Sequence, residues 1–390
     1  MSASCQHPLA RIGDLVADVA TWNPIRDGGE GDFKYIDLSS VDQESKTITE
    51  NPPIPCGDAP SRARQLVESG DVLVSTVRPN LNGVARVPTH LHGATASTGF
   101  CVLRADEREL AGEFLFHWVR TTQFVREMVR LATGASYPAV SDRIVLDSAI
   151  PLPPIAEQRR IAAILDKAEA LRAKRRQAIA LIEDIKQALF SDLLVAAGPA
   201  IRTVTVNDSM EAIIDYRGKS PTKSDSGVPL VTARVVKGGE LLEPTEFIPE
   251  ADYIGWMSRG FPQAGDVLFT TEAPLGEVAQ LDGRRVALAQ RLIVLRGKSG
   301  LIDNKFLMYM LTAPIVRSQI EARSTGSTVR GIRQSELRKV MLPIPPLVLQ
   351  RAFGLRIATL EKLKIVQRRS LARLNELFAV LQCRAFRGEL

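Results

Sequence analysis

Two stretches 192 residues apart carry the same transition. Residues 150–165 read IPLPPIAEQRRIAAIL and residues 342–357 read LPIPPLVLQRAFGLRI. In each, a proline cluster fixes an extended exit and a long charged helix follows at once. The match extends well beyond the hinge. SGDVLVSTVRP (69–79) aligns with AGDVLFTTEAP (264–274) at an offset of 195, and CVLRA (101–105) with IVLRG (293–297) at 192. FLFHWV (114–119) aligns with FLMYML (306–311), and TGASYPAV (133–140) with TGSTVRGI (325–332), again at 192. A period this long excludes a solenoid of short repeats and predicts two copies of one domain-plus-helix module. The boundaries follow: a first globular domain over 1–150, a central helix over 151–197, a second domain over 198–342 and a distal helix over 343–390.

Within each copy, short β-type runs such as FKYIDLSSV and VPLVTARVV are broken by Gly, Asp and Pro. GDVLV and GDVLF read as a turn entering a strand, and 113–132 and 304–323 have helical periodicity. The fold class is α+β. After the hinges the pattern is heptad-like. Ile161, Ile164, Ala168, Leu171, Arg175, Ala178, Ile182, Ile185 and Leu189 recur at spacings of 3 and 4, with Arg175 the polar position. Phe353, Ile357, Leu360, Lys364, Gln367, Leu371, Leu374, Phe378 and Leu381 follow the same rule, with polar breaks at Lys364 and Gln367. A stripe could pack on its own domain. Helices of about 40 residues, about 60 Å long, with charge on their other faces, fit better with each other as an antiparallel coiled coil. Equivalent midpoints then meet on a pseudo-twofold axis, which predicts that Arg175 faces Gln367 in an otherwise apolar seam.

The net charge of +6 is uneven. Residues 1–154 hold fourteen basic and nineteen acidic side chains, and 347–390 hold nine and three. Overall basicity points toward nucleic acid, but in the first domain any such contact must come from local clustering. Cys5, Cys56, Cys101 and Cys383 are scattered without a C-x-x-C pair and read as reduced thiols. His90 and His92 lack further ligand types nearby and read as loop residues. No signal peptide and no membrane-length apolar run is apparent, so a cytoplasmic location is expected.

Enzyme motifs come close and fail. NPPI (51–54) lacks the aromatic ring that would stack a flipped adenine, and DGGEGDF (27–33) has no leading apolar strand. RGKS at 217–220 and 296–299 is preceded by Ile213 and Leu292 where a phosphate loop needs glycine. No nucleophile has an evident base. The chain is expected to be non-catalytic and to bind no cofactor of its own.

Two globular domains, each followed by P-x-P-P and a heptad helix, resemble the specificity subunits of type I restriction–modification systems along nearly the whole chain. Pro153, Pro154, Glu157, Gln158 and Ile161 match the family's P-P-x-x-E-Q-x-x-I motif. The second hinge keeps Pro345, Pro346 and Gln350 but has Leu349 in place of the glutamate. The resemblance implies that each domain is a target-recognition domain reading one half of an asymmetric bipartite site in double-stranded DNA. It also implies that the helices set the spacing and dock two modification subunits, and that restriction subunits join them. S-adenosylmethionine, ATP and Mg are then expected in those partners. Candidate DNA contacts are Arg78, Asn80, Asn82, Ser136, Tyr137 and Arg143 in the first domain. In the second they are Arg217, Lys219, Lys223, Arg284, Arg285, Arg330 and Arg333. Arg suits guanine edges, Asn suits adenine, and either suits phosphate. The rival readings are a tandem-domain coiled-coil scaffold that binds something other than DNA, and an adenine methyltransferase acting alone.

Overall fold

The computed structural model describes residues 7–49, 51–216 and 220–390. Two compact units make up the protein. Unit 1 runs through Ala178 and adds Gln367–Leu390; unit 2 is Ile179–Val366. The division therefore falls within the two long helices, Ile155–Ala197 and Leu347–Arg387, and not at the proline hinges. Each unit owns one domain and a segment of both helices.

In unit 1 a four-stranded antiparallel sheet has the order Val16–Ala17, Phe100–Ala105, Val72–Ser75, Val84–Arg86. Unit 2 repeats it as Met210–Asp215, Leu292–Gly297, Val267–Thr270, Val278–Gln280. The strands opened by Gly-Asp are buried on both faces, so side-chain alternation feeds two cores. Val72 and Val74 join the core that includes the helix segments, whereas Leu73 joins a second core on the other face. Val267, Phe269 and Leu268 divide in the same way. A two-stranded ribbon ties the start of each domain to its hinge: Leu9–Arg11 pairs with Ala149–Pro151, and Arg202–Thr205 with Met341–Ile344.

The aspartate of each Gly-Asp turn is more than a turn residue. Asp71 and Asp266 are almost fully buried. Each accepts a two-pronged bond from an arginine on the central strand, Arg104 (3.0 and 2.8 Å) or Arg296 (2.8 and 2.8 Å). Each also accepts a backbone amide, from Glu68 or Gln263. A buried carboxylate is tolerable only with such complete pairing. Arg296 of the second RGKS is therefore an ion-pair partner on a strand.

The helical stretches expected at 113–132 and 304–323 are each two helices. Gly112–Trp118 and Thr122–Leu131 are separated where the Thr121 side chain accepts the Phe124 amide at 3.2 Å, an N-cap bond that starts a new helix. Asn304–Thr312 and Pro314–Ala322 break at Pro314, which occupies the first turn of the second helix.

The hinge glutamines are buried keystones. The Gln158 Oε1 accepts the Ala111 amide (2.9 Å), and its Nε2 donates to the carbonyls of Glu109 and Pro153 (2.9 Å each). Gln350 repeats the pattern with the Asp303 amide (2.8 Å) and the carbonyls of Leu301 (3.0 Å) and Pro345 (2.7 Å). Glu157 instead pairs with Arg160 at the surface, so Leu349 in the second copy costs the fold little.

The helix segments run antiparallel within each unit. In unit 1 Arg175 Nη1 donates to Gln367 Oε1 at 2.9 Å, Arg172 reaches Asn375, and Arg160 reaches the Leu390 carbonyl. In unit 2 Lys364 bonds Glu183 at 2.7 Å, and Phe190 stacks edge-on against Phe353. The expected Arg175–Gln367 layer is present. The seam of the first helix needs correction, however. Leu171 and Ile185 are exposed (50% and 39%), and Ile164, Ala178 and Leu189 are only partly buried. The inward positions are Ile161, Leu165, Ala168, Arg172, Arg175, Ile179, Ile182, Lys186 and Phe190, all buried or partly so. Arg172 and Lys186 cover apolar neighbours with their stems while their charged ends reach carboxylates, Glu169 and Glu183. At 171 and 185 the shift by one residue comes from preferring Leu or Ile to the adjacent Arg or Lys, and at 164, 178 and 189 the inward residue is the apolar one that follows, Leu165, Ile179 or Phe190. On the second helix Phe353, Ile357, Lys364 and Phe378 are buried, and Leu360, Gln367, Leu371, Leu374 and Leu381 are partly buried. Subtracting the 192-residue offset from that stripe yields the observed inward positions of the first helix from Ile161 to Lys186; Leu381 maps to Leu189, one residue before the buried Phe190.

Candidate nucleic-acid interface

Past the Gly-Asp strand of unit 1 the chain makes a tight turn beside the Thr-Gly loop. Val77 pairs with Ala139, Thr133 also pairs with Ala139, and the Arg78 amide donates to the Pro138 carbonyl at 2.7 Å. Gly134 has φ +100°, and a Cβ there would lie 3.0 Å from the Tyr137 carbonyl oxygen, so the tight loop requires glycine. Arg78 and Asn82, on either side of the short 3₁₀ turn Pro79–Leu81, adopt left-handed backbone with φ of 51° and 49°. In unit 2 Glu272 and Thr325 both pair with Gly331, and Gly326 has φ +108°. The same two-loop scaffold therefore sits at the end of the central sheet in each unit.

This scaffold brings together four of the first-domain candidates. Arg78, Asn80, Ser136 and Tyr137 are exposed on the paired loops, and the Arg78 guanidinium lies 4.5 Å from the centre of the Tyr137 ring. Asn82 turns inward: its amide donates to the Arg120 carbonyl at 3.2 Å, and its own carbonyl accepts from Lys46. Arg143 pairs with Asp147 on the neighbouring short helix.

In unit 2 Arg330 is exposed on the Thr-Gly loop, and Arg333 is the N-terminal flanking residue of the helix Gln334–Leu337. The remaining cations are engaged within the unit. Lys223 pairs with Glu246 (2.8 Å), and Arg284 with Glu243 (2.7 Å) and Asp282 (2.9 Å). Arg285 pairs with Glu250 and lies 4.1 Å over the Tyr253 ring. Hydrogen bonding to Glu243 and Glu250 holds the pKa values of Arg284 and Arg285 above the usual value. Arg217 and Lys219 lie outside the described residues.

One residue pair escaped the sequence reading. Arg291 has φ +74° and pairs with Glu272 at 2.7 Å, beside the Thr-Gly loop. Its equivalent 192 residues earlier is Gly99, and an arginine replacing a glycine between aligned copies was the available signal. Among the described residues no group of His, Cys, Asp and Glu is placed to hold a metal ion, and no helix is long and apolar enough to cross a membrane. His90 lies in the 3₁₀ turn Thr89–Leu91, and the His92 ring accepts the Ser69 amide at 3.3 Å. Cys56, Cys101 and Cys383 are free thiols, and burial raises the pKa of Cys101.

The architecture defines a duplicated α+β protein whose two units present one loop scaffold with different side chains and share two long helices. The type I restriction modification DNA specificity domain matches twice, over residues 66–183 and 258–376, more than half of the chain, and the protein belongs to that family. It is 23% identical over 259 residues to the type I restriction enzyme MjaVIII specificity subunit of Methanocaldococcus jannaschii, a match covering 60% of each chain. It is 20% identical over 331 residues to the EcoKI specificity subunit of Escherichia coli, covering 77% of this chain and 70% of that one. A chain from a solved structure concerning complex assembly and conformational transition of the type I R-M system aligns with 29% identity and a TM-score of 0.59. That alignment covers 99% of this chain and 100% of the other. The match spans less than two thirds of the length of the M. jannaschii relative.

Proposed function

We propose that this chain is the DNA sequence-recognition subunit of a type I restriction–modification complex. Each globular domain reads one half of an asymmetric bipartite site in double-stranded DNA. The helices Ile155–Ala197 and Leu347–Arg387 set the spacing and dock two modification subunits, which restriction subunits join. In this reading the chain itself is non-catalytic. S-adenosylmethionine, ATP and Mg belong to the partners. The observation that carries the reading is the duplicated two-loop scaffold with unlike side chains, Arg78 and Tyr137 in one unit, Glu272, Arg291 and Arg330 in the other. One backbone frame offering two chemistries is what an asymmetric two-part site requires.

The test is methylome mapping in cells with and without the chain, alongside DNA retention by the purified complex. The expected result is adenine methylation at one bipartite sequence, lost with the chain, and retention that weakens steeply with salt as phosphate contacts release counterions. Turnover of S-adenosylmethionine by the chain alone would favour a stand-alone methyltransferase. Salt-insensitive behaviour without sequence selectivity would favour a scaffold.

A further inference from the structure

We propose that Arg78, held against the Tyr137 ring, is a guanine-reading residue of unit 1, and that this pair makes the half-site of unit 1 differ from that of unit 2. The proposal rests on the DNA-recognition reading above. Three observations lead to it.

The first is the state of the guanidinium. Among the described residues Arg78 has no carboxylate partner, whereas its neighbours in unit 1 do: Arg86 pairs with Glu113, Arg104 with Asp71 and Arg120 with Glu169. Arg78 is instead stacked 4.5 Å from the Tyr137 ring centre, and Tyr137 is 67% exposed. Stacking restrains the guanidinium plane and leaves its N–H groups unneutralised. A planar fork suits the O6 and N7 acceptors on the major-groove edge of guanine.

The second is backbone cost. Arg78 occupies left-handed space at φ 51°, ψ 61°, where a Cβ is disfavoured and glycine is not. Glycine there would carry no such cost, so Arg78→Gly removes the side chain without straining the turn. Such outliers gather at functional sites.

The third is the repeat. The position equivalent to Arg78 is Ala273, which also has a left-handed φ of 49° and precedes a proline. The position equivalent to Tyr137 is Val329, also exposed on the loop. The loop pairing and the left-handed φ are kept, and the cation and its ring are both replaced. Unit 2 carries the Arg291–Glu272 pair where unit 1 has Gly99 and Val77. The shared frame is scaffold, and these exchanged side chains are the reading surface.

The experiment assembles complexes from modification subunits and the full chain as wild type, R78G, R78K, Y137F or Y137L. Each is offered unmethylated DNA bearing the mapped site and every single-base change in its half-sites. The expected result for R78G and R78K is loss of about 5- to 150-fold of the preference for guanine at one position of one half-site. The other half-site keeps its selectivity, and the thermal midpoint of R78G stays unchanged or rises. Y137F keeps the preference and Y137L loses part of it, as expected for a positioning ring. Unchanged selectivity in both R78K and R78G, with R78G binding every site more weakly by the same factor, would assign the contact to phosphate and overturn the proposal. So would an R78G variant that melts earlier yet selects the same site, which would make Arg78 a structural clasp. If the wild-type complex marks no bipartite site, the DNA-recognition reading falls and this proposal with it. If it marks one that R78G leaves unchanged, this proposal alone falls.

Discussion

Replacing Gln158 by alanine tests whether the hinge motif is a structural keystone. The side chain is fully buried and makes three hydrogen bonds to backbone groups. Truncation orphans the Ala111 amide, itself fully buried, at a cost of about 1–3 kcal/mol. The carbonyls of Glu109 and Pro153 each lose a donor, about 1 kcal/mol or less apiece because a carbonyl tolerates under-satisfaction better than an N–H. The better helix propensity of alanine returns only a few tenths of a kcal/mol. The net expectation is about 3 kcal/mol. For a unit of about 200 residues this corresponds to a fall of about 6–12 °C in its melting midpoint. Calorimetry measures the midpoint, and hydrogen exchange of the 109–112 segment should show faster exchange at Ala111. Gln158→Glu should cost more than alanine, because a carboxylate has no N–H for the two carbonyls and buries a charge. A Gln158→Ala protein that melts within 1 °C of wild type, with unchanged exchange at Ala111, would refute the keystone argument.

Three further outcomes are expected. His117 is fully buried, and burial holds its pKa below 6.5 despite the 2.8 Å bond to Asp166. The unfolded state then binds the extra proton, so unit 1 loses stability as pH falls below about 6.5, by at most about 1.4 kcal/mol per pH unit. His117→Gln should flatten that slope in urea titrations from pH 7 to 5, and an unchanged slope would remove His117 as its cause. Inserting seven residues into both long helices adds about 10 Å. Methylome mapping should show a wider gap between unchanged half-sites, and an unaltered gap would deny the helices their spacing role. Exchanging residues 1–150 for the equivalent domain of a relative should change one half-site only, and a change in both would end the one-domain, one-half-site model.

Much of this protein is legible in its sequence because repetition and helix period are local properties. The 192-residue offset alone implied two like units, and the four-stranded sheet and the hinge ribbon recur in both. The 3-and-4 spacing located both long helices and set Arg175 opposite Gln367. Where the reading failed, the deciding energy came from residues distant in sequence. Leu171 looked like a seam residue, but Arg172 lies over the Phe378 ring, donates to Asn375 203 positions away, and takes the inward place. Asp71 and Asp266 looked like turn residues, but Arg104 and Arg296, more than thirty and exactly thirty positions away, make them buried anchors. At the candidate interface the residue types were visible, but their charge state was not. Lys223, Arg284 and Arg285 are neutralised by carboxylates of their own unit, while Arg78 meets a ring. Composition counts cations, whereas only the folded chain determines which of them already have a partner. A paired cation must give up that partner before it can bind another anion, and this separates a solvated surface from a reading surface.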